Sequence, residues 1–422
     1  MKTILVKGPA LSRSGYGEQT RFALRSLRAH EDRFNILLIN IPWGKTGWIT
    51  ETGEERDWLD HLIGKTQHHI NQKLPIDMSL QVTIPNEWEK IAPINIGYTA
   101  GIEATKVAPE WVQKAGLMDR IITISEHSKN VYQDTVYEAT IQQTGQTTQF
   151  KINTPIEVVH YPVRSLEAED LDIQLDYDFN FLSVAQFGPR KNLGNTINWF
   201  FQEFQNDEVG LVLKTNMANC NTADFLNTER GIQQIAENYP DRKCKVYLLH
   251  GDLTLGQMNA LYTNPKIKAY VTHTHGEGFG IPIFEAAYHG VPVIAPAWSG
   301  QNDFLHAYMK SGNRKKAKLR ALFCKVEYTI NQIPQHAVWN GVLQADAGWC
   351  YPTEESAKKT MRAVFTDYAK YEKMAQELQP HLIENFTEEA QYKKFADAVI
   401  GEEELELQDW LSQFEEQLEV HE

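Results

Sequence analysis

The chain has 422 residues, 42% of them hydrophobic and 11% aromatic, so it is long enough for two domains and too apolar for a disordered protein. No stretch approaches the about eighteen apolar residues of a membrane span, and the short apolar run between Lys2 and Lys7 predicts a buried strand instead of a secretory signal. Four separated cysteines without a C-x-x-C pair do not predict a zinc site or a disulfide framework, and they favour a reducing, cytoplasmic compartment.

The net charge of −14 is unevenly distributed along the chain. Residues 386–422 contain twelve acidic and two basic residues, whereas Lys310–Lys325 contains seven basic and no acidic residues. A solvated surface segment explains this basic run, and so does a contact site for a polyanion or an anionic membrane surface. The overall charge therefore does not exclude nucleic acid as a partner.

The first half of the chain alternates short apolar strands with helical patterns. The predicted strands include KTILVK, NILLINI, NIGYT, RIITIS and IEVVHY, and Ser125 has the position of an N-cap for a following helix. This alternation predicts βαβ units with a parallel sheet in an N-terminal domain, residues 1–165. The acidic segment RSLEAEDLDIQLDY has no sustained periodicity and predicts a linker at 166–177.

A second alternating series follows, through NFLSVAQF, VGLVLKT, KVYLLHG, IKAYVTH and VPVIAPA. It predicts a second domain at 178–385, so the fold class is α/β, with two tandem Rossmann-like, doubly wound domains that face a cleft. Ligands of such sheets bind at the carboxyl ends of the strands. The acidic tail 386–422 has apolar residues at helical spacing (Leu405, Leu407, Trp410, Leu411, Phe414, Leu418), which predicts an amphipathic C-terminal helix packed on the body.

The segment HGEGFGIPIFEAAYHGVPVIAP, residues 275–296, has the most specific pattern in the chain. We expect a loop after a strand and then a helix, with Pro282 in its first turn and Gly290 at its end. Glycines and the free N–H groups of a helix N-terminus suit a diphosphate, and an ionised Glu285 suits the hydroxyl groups of a sugar. The paired carboxylates of a glycosidase are an alternative that the helix dipole disfavours at Glu285.

EGFGIPIFEA with HGVPVIAP resembles the E-x7-E motif of retaining GT-B glycosyltransferases of family 4, also called group 1. SVAQFGPRKNL, AYVTHTHGEGFG and DRIITISEHSKNVY are similar to further segments of that family. The resemblance covers most of residues 1 to about 385 and is densest at 180–305. It implies transfer of a sugar from a UDP- or GDP-sugar donor to an acceptor hydroxyl, with no bound metal or cofactor.

The resemblance also implies roles for individual residues. Glu277 would contact the transferred sugar and Glu285 the ribose, while Lys191 stands where the family has a diphosphate-binding lysine. Gln186 occupies the position of the usual arginine, and we expect Arg190 to compensate. The backbone N–H groups that would meet the phosphates and the sugar belong to Gly278, Phe279, Gly280 and Ile281.

In the N-terminal domain, SRSGYGEQTR stands where the family has a glycine-rich donor loop, so Gly15 and Gly17 are expected near the diphosphate. An ordinary βα turn explains this G-x-G pattern nearly as well. Many members of the family have a histidine after the fourth strand, and Glu103 is the nearest polar residue here. Glu103 is therefore a candidate catalytic residue, with a surface carboxylate as the alternative.

The sequence leaves the acceptor open among a glycan, a lipid-linked sugar and a small molecule. A different enzyme, which transfers the sugar to a hydroxymethylated DNA base, is compatible with the basic run but has no DNA-binding motif to support it. A catalytically silent protein that binds a sugar nucleotide is a third hypothesis, which the two retained motif carboxylates disfavour. A GT-B epimerase would need further acid and base groups that the sequence does not reveal.

Overall fold

A computed structural model describes residues 1–44, 46–140, 145–164, 166–310, 316–401 and Leu405. The strands of the first half are β1 (Lys2–Gly8), β2 (Phe34–Asn40), β3 (Met78–Val82), β4 (Ile94–Tyr98), β5 (Arg120–Thr123), β6 (Val136–Thr140), β7 (Thr147–Lys151) and β8 (Ile156–Val158). Its helices are α1 (Gly15–Arg28), α2 (Glu54–Asn71), α3 (Pro109–Ala115) and α4 (Glu126–Asp134). Six strands form one parallel sheet in the order β2-β1-β3-β4-β5-β8, and β6 and β7 form a separate antiparallel hairpin.

Local sequence explains why these elements begin where they do. Ile4 and Val6 of β1 are fully buried, as expected for a central strand covered by helices on both faces. The Ser14 hydroxyl caps α1 by accepting a hydrogen bond from the Gly17 N–H at 3.0 Å. The predicted cap of α4 is confirmed, because the Ser125 hydroxyl accepts a hydrogen bond from the Ser128 N–H.

The strands of the second half are β9 (Asn180–Val184), β10 (Gly210–Lys214), β11 (Lys245–Leu249), β12 (Ile267–Val271), β13 (Val293–Pro296), β14 (His306–Met309), β15 (Lys318–Ala321), β16 (Cys324–Val326), β17 (Tyr328–Gln332) and β18 (Gly348–Pro352). Its helices are α5 (Leu193–Phe204), α6 (Thr222–Ala236), α7 (Leu255–Thr263), α8 (Ile281–Tyr288), α9 (Asn302–Leu305), α10 (Glu354–Thr366), α11 (Tyr368–Asn385) and α12 (Glu388–Ile400). The second parallel sheet has the order β11-β10-β9-β12-β13-β16, which is the Rossmann order 3-2-1-4-5-6.

The predicted fold class is confirmed by these two parallel sheets, each flanked by helices. Residues 166–177, predicted as the linker, contain no helix or strand. The exact domain boundaries stay a prediction. No helix in the described part of the chain combines the length and the apolar character needed to cross a membrane.

The C-terminal helix α12 returns to pack on the first domain. The ring of Phe395 lies 5.3 Å from that of Phe22 in α1 and 4.9 Å from that of Tyr98 in β4, measured between centroids. Asp397 pairs with Arg33 at 3.0 Å. The described part of the predicted tail is thus helical and packed on the body, whereas residues 402–404 and 406–422 lie outside the described residues.

A second connection between the halves comes from the hairpin β17–β18 and the loop within it. Ile333 and Trp349 from this segment join the buried cluster of Trp88 and Trp111 in the first domain. The Thr105 hydroxyl accepts a hydrogen bond from the Gly348 N–H at 2.8 Å. Both α12 and the β17–β18 segment therefore connect the second half of the chain to the first domain.

We expect Phe395→Ala to lower the free energy of unfolding by about 3–5 kcal/mol, because a fully buried aromatic ring is replaced by a cavity between α12 and the first domain. Urea denaturation measures this change. The control is Tyr308→Ala, at a side chain that is 71% exposed, which should change stability by less than about 0.5 kcal/mol. Equal losses in the two variants would contradict the packing of α12 described above.

Candidate functional site

The glycine-rich loop between β12 and α8 lies against the first domain. A Cβ atom on Gly278 would lie 2.1 Å from the Ala100 carbonyl oxygen, so only glycine allows this approach. Gly280 has φ +95° and stands directly before α8, in the left-handed conformation that favours glycine. Pro282 in the first turn and Gly290 after the last are confirmed as the start and stop signals of α8.

Glu277 is buried in this loop and makes ionic contacts with two basic side chains. Lys191 Nζ donates to both carboxylate oxygens at 2.6 and 2.7 Å, and Arg190 approaches at 3.3 Å. Burial alone would raise the pKa of Glu277, but the two cations outweigh it and lower that pKa. Glu277 is therefore an anion held in place by positive charge.

Arg190 and Lys191 belong to a short 3-10 turn, Pro189–Lys191, just after β9. The Arg190 guanidinium also pairs with Glu103 of the first domain at 3.0 Å and donates to the Gly276 carbonyl oxygen. The structure thus brings together all four residues that the sequence proposed as catalytic (Glu277, Lys191, Arg190, Glu103). We call them the ionic cluster; it contains two cations and two carboxylates and spans both domains.

The N-terminus of α8 lies directly after Glu277. Within the described residues, the backbone N–H groups of Gly278, Phe279, Gly280 and Ile281 donate to no other group. Free N–H groups at a helix N-terminus carry partial positive charge and bind anions such as phosphate. This end of α8 therefore offers free N–H donors with partial positive charge beside the ionic cluster, whose two cations are balanced by two carboxylates.

A cavity of about 580 Å³ lies between the domains, a volume typical of a small-ligand site. Its walls come from segments that follow the carboxyl ends of strands in both sheets, namely residues 13–25 and 49–55 of the first domain and residues 214, 252–262 and 281–289 of the second. Three of the predicted donor-binding residues line it: Gly15, Ile281 and Glu285. Binding between the sheets at their carboxyl ends is what the predicted fold implied.

Glu285 differs from expectation in its protonation. Its carboxylate accepts a hydrogen bond from the Tyr262 hydroxyl at 2.9 Å. Burial raises its pKa from 4.5 to about 7, although the Tyr262 hydroxyl acts in the opposite direction. The sequence argument expected the helix dipole to favour the ionised form of Glu285, whereas burial in the structure raises its pKa.

Two other predicted donor-binding residues, Gln186 and Gly17, have contacts within their own domain that explain the residue type without a ligand. The Gln186 side chain is exposed and donates to the Met217 carbonyl oxygen at 2.9 Å, outside the ionic cluster. A Cβ on Gly17 would lie 1.9 Å from the Ser12 carbonyl oxygen, so this glycine is required by the turn before α1. A direct role of either residue in donor binding stays a prediction.

The cavity residues that the sequence analysis did not single out include Arg13, Lys214, Asp252 and Tyr262. Lys214 is the last residue of β10, and Asp252 follows β11 by three residues. A polar residue at the carboxyl end of the predicted strand VGLVLKT and another just after KVYLLHG were a usable signal, because carboxyl ends of neighbouring parallel strands lie at one sheet edge. Tyr262 and Arg13 gave no comparable signal.

The histidines beside the motif have ordinary partners. His273 Nδ1 lies 3.1 Å from the Thr196 hydroxyl, and His275 Nδ1 lies 2.6 Å from the Cys350 carbonyl oxygen. Among the described residues, no group of three or more His, Cys, Asp or Glu side chains comes together as a metal site. In the predicted basic patch Lys310–Lys325, residues 311–315 lie outside the described residues, and contact of the remainder with a polyanion or membrane stays a prediction.

Comparisons with known proteins identify the fold. No protein-family model matches the chain, and no curated protein matches it in sequence. Sucrose-phosphate synthase from Thermosynechococcus elongatus is similar in structure, with a TM-score of 0.57, 14% identity, and all of both chains covered. Anabaena HepE, in complex with UDP and glucose, has a TM-score of 0.55 and 13% identity, covering 94% of this chain and 98% of that one.

A third similar structure is the lipopolysaccharide outer core galactosyltransferase WaaB in its apo form. Its TM-score is 0.53 at 14% identity, and the match covers 95% of this chain and 99% of WaaB. At such low identity these likenesses show the fold, which is the GT-B arrangement of two Rossmann-like domains.

The Glu285 pKa leads to a pH prediction for stability. Because the folded protein holds this proton more tightly than the unfolded chain, the contribution of Glu285 is fully present below pH 4.5 and is lost as pH rises through about 7. We therefore expect Glu285→Gln, which stays neutral, to gain stability relative to the wild type as pH rises from 4.5 to 8. Urea denaturation of both proteins across this range measures the difference. A difference that is constant with pH would contradict a raised Glu285 pKa.

Proposed function

We propose that this protein is a retaining glycosyltransferase that moves a sugar from a nucleoside-diphosphate-sugar donor to an acceptor hydroxyl. The observation that carries the proposal is the ionic cluster beside the free N–H groups at the N-terminus of α8, a helix whose Ile281 and Glu285 line an interdomain cavity. A diphosphate needs fixed positive charge, a ribose needs a hydroxyl-binding carboxylate, and the sugar needs a second polar group next to the phosphates. This arrangement supplies all three.

Each group has a proposed role. The α8 N-terminus and Lys191 would bind the diphosphate. Gln186 occupies the position of the family's usual arginine, and Arg190 would supply that positive charge instead. Glu285 would accept hydrogen bonds from the ribose hydroxyls, or donate to them when protonated. Its position in the cavity wall allows these contacts. Glu277 would bind hydroxyls of the transferred sugar. The contact with Lys191 fixes the position of the Glu277 carboxylate before the sugar binds. Glu103 would position Arg190 from the first domain.

The proposed reaction is a same-face substitution. The bond between the anomeric carbon and the phosphate oxygen breaks, the bond to the acceptor oxygen forms, and the acceptor proton passes to the departing diphosphate. Negative charge grows on the diphosphate as that bond breaks, so groups that favour the anion lower the barrier. This step needs no bound metal, because Lys191, Arg190 and the α8 N-terminus supply the positive charge.

The comparisons support the proposal without deciding it. One similar structure is a galactosyltransferase and another contains UDP and glucose. A cytoplasmic location remains a prediction, and the acceptor remains open among a glycan, a lipid-linked sugar and a small molecule. Both motif carboxylates have defined partners, Lys191 for Glu277 and Tyr262 for Glu285, which argues against a catalytically silent binding protein.

A panel of nucleoside-diphosphate sugars tests donor binding. A donor present at one hundred times its Kd should stabilise the folded protein by about 2.7 kcal/mol, seen as a rise in Tm. Incubation of each binding donor with acceptor mixtures, followed by NMR of the product, reports transfer and the anomeric configuration. Binding without any product would favour the silent protein, and an inverted product would refute the retaining mechanism.

We expect Lys191→Ala and Glu277→Gln to lower kcat by at least about 100-fold while the protein stays folded, because each loses a group that contacts the diphosphate or the reacting sugar. Initial rates of donor consumption measure kcat, and circular dichroism checks folding. Lys245→Ala is the matched control, since this exposed lysine pairs with Asp176 away from the cavity. Full turnover by a folded Lys191→Ala variant would refute the proposed charge clamp.

A further inference from the structure

The interdomain cavity contains an acidic side chain, Asp252, and a basic side chain, Lys214, that have no role in the proposed chemistry. Lys214 ends β10 and Asp252 follows the adjacent strand β11, and both line the cavity wall that also contains Glu285. They lie on the second-domain side, where β10 and β11 form the edge of the sheet beyond β9. The ionic cluster is not part of this wall.

Asp252 has unused capacity to accept hydrogen bonds. Its side chain is 45% exposed, and neither carboxylate oxygen accepts a hydrogen bond from an N–H or O–H group of another described residue. Arg13 Nε comes only to 3.7 Å, and the Arg13 guanidinium directs an N–H group to Glu51 instead. The other neighbour is the weak donor Cys220 Sγ at 3.6 Å.

Lys214 has unused capacity to donate. Its ammonium group donates to the Gly251 carbonyl oxygen at 2.6 Å, which occupies one of its three N–H groups. That contact holds the ammonium beside the loop from which Asp252 projects. The cavity wall therefore presents a two-oxygen acceptor after one strand and a positively charged donor at the end of the neighbouring strand.

Only one of the common nucleobases offers the matching edge. Guanine presents two adjacent donors, N1–H and the 2-amino group, beside the O6 acceptor. Uracil presents one donor between two carbonyl oxygens, which a carboxylate would repel, and adenine presents one donor beside an unprotonated nitrogen. A carboxylate that accepts two parallel N–H groups makes a strong, directional pair, as in bidentate arginine–carboxylate contacts.

We propose that Asp252 and Lys214 recognise guanine, so that the donor of this protein is a GDP-sugar. Asp252 accepts from N1–H and the 2-amino group, and Lys214 donates to O6. The inference rests on the proposed function, since it assigns the base of the donor whose ribose meets Glu285. Arg13 of the first domain lines the same cavity, with its Nε 3.7 Å from the Asp252 carboxylate.

The test is calorimetric titration of the full chain with GDP, IDP, UDP and ADP. The wild type should bind GDP at least about 10-fold more tightly than UDP and ADP. IDP, which lacks the 2-amino group, should bind about 10-fold less tightly than GDP. Equal or tighter binding of UDP by the wild type overturns the inference, and this comparison needs no variant to fold.

Variants then assign the selectivity to Asp252. Asp252→Asn should weaken GDP binding by about 10- to 100-fold and remove the difference between GDP and IDP, while UDP binding stays within about twofold. Asp176→Asn, an equivalent change at an exposed acid outside the cavity, should bind all four nucleotides as the wild type does. Unchanged discrimination between GDP and IDP in folded Asp252→Asn overturns the assignment.

The outcomes separate this inference from the proposed function. Tight UDP binding with transfer from a UDP-sugar would leave the glycosyltransferase intact and refute guanine recognition. Selective GDP binding without transfer from any GDP-sugar would support guanine recognition and refute the proposed enzyme. Failure of all four nucleotides to bind would overturn both.

Discussion

The burial of the Glu277 carboxylate is the constraint on which the site depends. A buried charge is tolerated only when it is paired, and Glu277 is paired with Lys191 and Arg190. The pairing fixes the glycine-rich loop after β12 against the 3-10 turn after β9. Arg190 extends the same network to Glu103, so one set of charges also joins the two domains. Removal of either cation would leave the buried carboxylate with a single charged partner.

The ionic cluster can hold its geometry because backbone atoms come unusually close around it. Gly278 lies against the Ala100 carbonyl oxygen, and a Cβ on Gly300 would lie 2.0 Å from the Gly278 carbonyl oxygen. The packing of α12 on α1 and of the β17–β18 segment on the first domain holds the halves in this arrangement. The electrostatics of the site thus depend on apolar contacts at some distance from it.

Glu277 and Glu285 belong to one motif but have opposite electrostatic environments. Cations next to Glu277 lower its pKa, whereas Glu285 has a tyrosine hydroxyl as its hydrogen-bond partner and burial raises its pKa. An anionic and a protonatable carboxyl group near the two ends of α8 suit different tasks. The first is suited to an electrostatic role beside the phosphates, and the second can donate as well as accept a hydrogen bond at a ribose.

The sequence by itself determined the two Rossmann-like domains, the cap at Ser125, and the start and stop of α8 at Pro282 and Gly290. These features follow from local periodicity and from residues whose backbone preferences act over a few positions. It also pointed to the four members of the ionic cluster, by resemblance to a family motif. The sequence did not predict the contacts among these residues, because Arg190 and Glu103, for example, are 87 residues apart in the chain.

Only the tertiary structure decided the partner of α12, the raised pKa of Glu285 and the placement of Lys214 and Asp252 in one wall of the cavity. Strand order brings the last two residues to neighbouring strand ends, and the fold sets the burial that raises the pKa of Glu285 beside the Tyr262 hydroxyl. The pKa of a carboxyl group and the unused hydrogen-bonding capacity of a side chain depend on every neighbour in space. A local pattern specifies only the neighbours along the chain.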